Sequence, residues 1–111
     1  MTEHMDYIRE SVPQEELLAQ LAEEATELAQ AALKLRRKLD GTNPTPVPLS
    51  RAYDNLTEEI ADVRLCLRVL GFDPSAQVYA KMEDRKLRRW VSRLQKSIDK
   101  EKTESGLLEE D

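Results

Sequence analysis

The sequence predicts an all-α protein, an antiparallel bundle of three to four helices completed by oligomerisation. Three observations lead there. Ala, Leu, Glu, Lys, Arg and Gln dominate, while aromatics reach only 5%, a balance that favours helices over a sheet-rich fold. Apolar residues recur at three- and four-residue steps through three long stretches. A chain of 111 residues with thin helices and few aromatics has a modest core on its own, so self-association is expected. The length suits one domain, read here as a helical domain over 1–98 and a charged, flexible tail over 99–111.

The first ten residues hold Met5, Tyr7 and Ile8 without a clear period, which predicts a short turn against the main body. His4, the one histidine, reads as a solvated residue near the end of the chain. Ser11 reads as a helix N-cap with Gln14 completing a capping box, and Pro13 is tolerated in the first turn. The first long helix then spans about Val12 to Leu39. Its apolar stripe, from Leu17 and Leu21 through Leu28 to Leu35 and Leu39, falls within roughly 60° of the helical wheel. Glu24 lies roughly 20° outside that arc and Glu27 roughly 80°, on the same flank. Glu23 points further towards solvent. Lys34, Arg36, Arg37 and Lys38 close the helix, where cations favour the carbonyl end.

Asp40-Gly41 ends this helix, and Pro44, Pro46 and Pro48 exclude regular structure from the link that follows. Ser50 is the expected N-cap of a second helix, about Arg51 to Leu70. Its main stripe includes Tyr53, Leu56, Ile60, Val63 and Leu67. Glu59 lies roughly 20° beyond Leu70, with Cys66, Asn55 and Asp62 adjacent in turn. Gly71 ends the helix. Asp73 as N-cap and Pro74 at the first position predict a third long helix to about Lys96 or beyond. Val78, Met82, Leu87, Trp90 and Leu94 are among its apolar contacts, and Lys81, Arg85 and Arg88 align as a basic ridge.

Composition excludes several function classes. A formal net charge of −5 opposes generic binding to nucleic acid or an anionic membrane. Cys66 alone forms neither an internal disulfide nor a thiolate metal cluster. No apolar run approaches the ~20 residues of a membrane span, and no signal peptide is read, so a cytoplasmic protein is expected.

Two acidic signatures stand out against this background. Glu23-Glu24-Ala25-Thr26-Glu27 and Glu58-Glu59-Ile60-Ala61-Asp62 each place two carboxylates three residues apart, about one turn along one side of an apolar helix. Carboxylates facing a core are costly unless neutralised, and a divalent cation neutralises them. An all-oxygen set of Glu24, Glu27, Glu59 and Asp62 suits Mg²⁺ or Mn²⁺ and disfavours zinc. No histidine lies on these helices, which excludes the Glu-x-x-His pairs of di-iron bundles. A basic ridge beside such a site invites a metal-bound phosphate, and the chemistry expected is metal-assisted attack of water on a phosphoanhydride.

Glu-Glu-x-x-Glu followed on a second helix by Glu-Glu-x-x-Asp resembles the signature of the all-α nucleoside triphosphate pyrophosphohydrolases, the MazG-like superfamily. The resemblance covers roughly Gln14 to Trp90 and includes Lys81-Met82-x-x-Arg85-x-x-Arg88-Arg89-Trp90. It implies hydrolysis of a nucleoside triphosphate between the α and β phosphates, releasing a monophosphate and pyrophosphate. It also implies Glu24, Glu27, Glu59 and Asp62 as ligands of Mg²⁺, Glu23 as the group that orients or deprotonates water, and Lys81, Arg85 and Arg88 as phosphate contacts. A homodimer or a dimer of dimers follows from the same resemblance. Two features depart from the pattern. Residues 28–58 put 31 positions between Glu27 and Glu59, a longer gap than usual, attributed to Asn43–Pro48. Asp84 and Arg85 stand where some relatives place an asparagine. The competing reading is a non-catalytic helical oligomer whose acids hold a structural cation or a protein partner.

Overall fold

Alanine, leucine and long charged side chains carry little penalty in a helix, and they fill nearly every regular stretch of this chain. The structure is a computed structural model that describes the backbone of residues 2–42 and 47–109 and the side chains of 3–42 and 47–105. Four helices and no strand occur among the described residues: α1 (Thr2–Ser11), α2 (Gln14–Asp40), α3 (Leu49–Val69) and α4 (Gln77–Glu109). The all-α class is as the sequence indicates. None of the helices among the described residues is long and apolar enough to cross a membrane. The chain divides into two compact units, Met1–Pro74 and Ser75–Asp111.

In the first unit α2 packs along α3. The two run antiparallel. A groove lined by Leu17, Val69 and Leu70 joins the start of α2 to the end of α3, and another lined by Lys38, Val47 and Ala52 joins the opposite ends. The expected short turn at the N-terminus is instead a helix, α1, whose Arg9 does specific work. Its Nε donates to the Val69 carbonyl at 2.7 Å and its Nη2 to the Arg68 carbonyl at 2.8 Å. Gly71, with φ of 92°, lets the chain turn so that the Gly71 and Phe72 amides reach the Arg68 and Leu67 carbonyls. The Leu70 amide takes the Cys66 carbonyl. Every carbonyl from Cys66 to Val69 therefore has a donor, which is what a half-enclosed helix end requires. Arg9→Ala is expected to cost about 1–2 kcal/mol, since it strips two charge-assisted hydrogen bonds from that end. An unchanged thermal midpoint would refute this.

The helix starts differ from the expected caps. Neither Ser11 nor Ser50 is an N-cap. Those positions belong to Pro13 and Pro48, both with extended backbone and no side-chain cap bond. The proline ring already fixes the φ that an N-cap adopts, and each carbonyl accepts from the first turn, at 3.0 and 3.1 Å for Pro13. At the far end of α2, Gly41 adopts a left-handed φ of 70° and its amide donates to the Arg37 carbonyl. The Thr42 hydroxyl and amide both donate to Asp40 and hold its carboxyl below the usual range. Residues 43–46 of the proline-rich insertion lie outside the described residues.

In the second unit α4 begins at Gln77 rather than Pro74 and runs past Lys96 to Glu109, so the stretch from Asp99 that was expected to be a flexible tail is helical as far as Glu109. Glu, Lys and Leu supply helix propensity through this charged stretch. Arg88 pairs with Asp84 one turn away at 3.0 Å, an exposed bond worth a few tenths of a kcal/mol at most.

Candidate metal centre between α2 and α3

Helix pairs bury a stripe that advances by alternating steps of three and four residues. On α2 that stripe is Leu17, Leu21, Glu24, Leu28, Ala31, Leu35 and Lys38, and every member is buried or half-buried. On α3 it is Ala52, Leu56, Glu59, Val63, Cys66 and Leu70. Each seam thus carries one glutamate at a position where the pattern calls for an apolar residue. The sequence alone places Glu24 and Glu59 at the margin of the packed face. Packing places them within it.

For α3 the packed face is turned by roughly 60° from the stripe drawn through its largest apolar residues. Tyr53 and Ile60 are 49% and 42% exposed, while Ala52 and Val69 are among the four buried residues of those described. Small Ala31 and Ala52 are buried and Cys66 is half-buried, so the Glu59 side of α3 is the one that packs on α2 although its residues are less bulky.

The carboxylates converge as a result. One oxygen from each of Glu24, Glu27 and Glu59 lies within 4.8 Å of the other two. The Gln20 amide donates to Glu24 Oε1 at 2.8 Å. Glu24 Oε2 and Glu59 Oε2 are enclosed and have no hydrogen-bond partner. Burial pushes the Glu24 carboxyl above its ordinary value, the Gln20 bond opposes this, and the charges of Glu27 and Asp62 add to the rise. The Cys66 thiol is pushed up by burial and then by the charges of Glu24 and Asp62. Asp62 therefore lies close enough to act on both groups, yet it is exposed and stands outside the three-oxygen cluster. Glu23 and Glu58 are exposed. Lys81, Arg85 and Arg88 lie on α4, in the second unit.

This donor set fits a hard dication. Three carboxylate oxygens offer up to three ligands, and an octahedral ion with bonds of about 2.1 Å keeps waters at its other positions. Opposite ligands of such an ion stand roughly 4.2 Å apart, so a carboxylate spread of up to 4.8 Å needs only rotamer adjustments below an ångström. Two enclosed oxygens without partners are the local cost that a cation removes.

Proton linkage gives this cluster a sign. A carboxyl whose value rises on folding binds more protons in the folded state, so the metal-free protein loses stability as pH climbs from about 4.5 through the raised value. Glu24→Gln is expected to flatten that slope, read as thermal midpoint against pH in EDTA. A slope that persists unchanged in the variant would remove Glu24 as its source.

Beyond the acids the same seam opens into a cavity of about 530 Å³ lined by Glu27, Glu59, Asn55, Lys34, Arg37 and Lys38 among others, with Ala31 and Ala52 also on its walls. The sequence shows Lys34, Arg37 and Lys38 as helix-terminal cations. That they face the same cavity as two of the acids appears only once α2 and α3 are paired, since wheel position alone does not say what stands opposite. No family model matches this chain, and no curated protein or solved structure is significantly similar to it.

Proposed function

We propose that the chain is an Mg²⁺-dependent nucleoside triphosphate pyrophosphohydrolase of the MazG-like kind, active as a homo-oligomer in the cytoplasm, with Mn²⁺ an alternative ion. One observation carries this reading. Two seam glutamates, each with an enclosed, partnerless oxygen, belong to a three-carboxylate cluster, two of whose members, Glu27 and Glu59, line a nucleotide-sized cavity. Glu24, Glu27 and Glu59 hold the ion, and Asp62 stands next to them as the fourth ligand after a small rotation. The bound ion supplies charge neutralisation at the phosphates and a more acidic water. Glu23, exposed one residue before Glu24, accepts a proton from the attacking water, which then displaces pyrophosphate from the α phosphorus. The resemblance adds Lys81, Arg85 and Arg88 of α4 as phosphate contacts.

Self-association accounts for the thin core. The buried residues are Ala31, Leu35, Ala52 and Val69 alone among those described, and no side chain falls below 2% exposure. On α4, Leu87, Val91, Leu94 and Ile98 follow steps of four, three and four residues, and all are about half exposed or more. A second copy of the chain covers them in this reading. Light scattering after size exclusion is expected to give a dimer or tetramer, and Leu94→Glu to shift it to monomer.

The decisive assay is release of pyrophosphate from a panel of nucleoside triphosphates with Mg²⁺. Release from at least one substrate, abolished by EDTA, is the expected outcome. No release from any substrate at high enzyme concentration would overturn the proposal and leave a structural cation site.

A further inference from the structure

The cavity beside the carboxylates has two electrostatic halves. At one end stand Glu27 and Glu59, and at the other Lys34, Arg37 and Lys38, with Asn55 on the wall between. Lys34 lies seven residues beyond Glu27, a rise of about 10 Å, and Arg37 about 15 Å beyond it. A ligand held at the acids by a cation and at the far end by these side chains is therefore roughly the length of a polyphosphate chain with its ion.

Arg37 is poised for such a ligand. Its Nε is enclosed and has no hydrogen-bond partner. The nearest acid in sequence, Asp40, feels the charge of Arg37 but accepts from the Thr42 hydroxyl and amide and pairs with Arg36 at 3.9 Å. Among the described residues neither Lys34 nor Arg37 forms an ion pair. A guanidinium N–H enclosed without an acceptor is costly in the free protein and becomes useful when an anion arrives. Cations on a solvated helix end would be satisfied by water, whereas this one lines a cavity of about 530 Å³ that also contains the acids.

We infer that Lys34 and Arg37 bind a phosphate group of the ligand remote from the carboxylates, so that α2 supplies both metal ligands and phosphate contacts. The inference deepens the proposed function and assigns to α2 part of the phosphate binding that the α4 ridge was expected to carry. Guanidinium planes match phosphate oxygens two at a time, and Lys34 adds a point charge. Asn55 offers an amide donor from α3 to the same group.

Inorganic pyrophosphate is the probe, titrated calorimetrically into the full chain in EDTA at low salt. Arg37→Met and Lys34→Met are each expected to weaken binding by about tenfold or more, while Arg64→Met on α3 does not. Ala31→Met narrows the cavity without altering charge and is expected to weaken binding as well, with circular dichroism and the thermal midpoint reported for every variant. Wild-type affinity in Arg37→Met and Ala31→Met would overturn the inference. Unaltered KM in Arg37→Met with hydrolysis intact would overturn it too, leaving the proposed reaction standing. Pyrophosphate binding that depends on Arg37, in a protein that hydrolyses no triphosphate, would do the reverse.

Discussion

Glu59→Gln is expected to lower Mg²⁺-dependent pyrophosphate release by about 100-fold or more, while leaving the metal-free protein at least as stable as the parent. Substitutions in the outer shell of a metal site already cost roughly 10–100-fold, and Glu59 is proposed as a direct ligand. The stability effect has the opposite sign because the free protein carries three carboxylates within 4.8 Å and two enclosed oxygens without partners. Gln keeps the shape of Glu and removes one charge from that crowd. Metal should reverse the order. With free Mn²⁺ about 100-fold above its Kd, binding adds about 2.7 kcal/mol to the parent, a rise in thermal midpoint of at least about 10 °C for a chain of this size. The variant shows little of that rise. If Glu59→Gln lowers the midpoint in EDTA as much as it lowers activity, Glu59 is holding the helices together and the metal reading fails.

Leu35→Ala should produce the largest loss of stability. Leu35 is 7% exposed and is the largest of the four buried residues among those described, near the C-terminal end of the α2 seam. Truncating a buried leucine costs about 2–5 kcal/mol, with the lower figure expected where solvent can reach the gap. A fall of about 10 °C or more in the thermal midpoint follows for a protein of this length. The companion change Tyr53→Ala, on the stripe that the sequence alone favours, is expected to have a far smaller effect because Tyr53 is 49% exposed. Equal losses at the two positions would mean that a different face of α3 is packed.

These two positions show how far the sequence carries. Helical class, the extent of α2 and α3 to within a few residues and the breaks at Gly41 and Gly71 follow from propensity, apolar period and two glycines that adopt positive φ. The acidic pairs were legible too, because Glu24 with Glu27 and Glu59 with Asp62 project from one side of their helices whatever packs against them. Serine as a helix-capping signal misled at both Ser11 and Ser50, since a neighbouring proline met the same backbone requirement. Helix formation in α1 and in the last turns of α4 was not foreseen, as neither has a clear apolar period.

The sequence by itself determined that α2, α3 and most of α4 are helical and which carboxylates share a side. Only the tertiary structure decided which side faces the partner helix. A wheel ranks faces by the bulk of their apolar residues, and on α3 that ranking favours Tyr53 and Ile60. Helix packing instead buries whichever side fits the partner's seam, and here that side of α3 carries the smaller Ala52 and Cys66 against a seam that includes Ala31. That choice brings Glu24 and Glu59 into the seam, three carboxylates together, and Lys34 and Arg37 onto the same cavity as the acids.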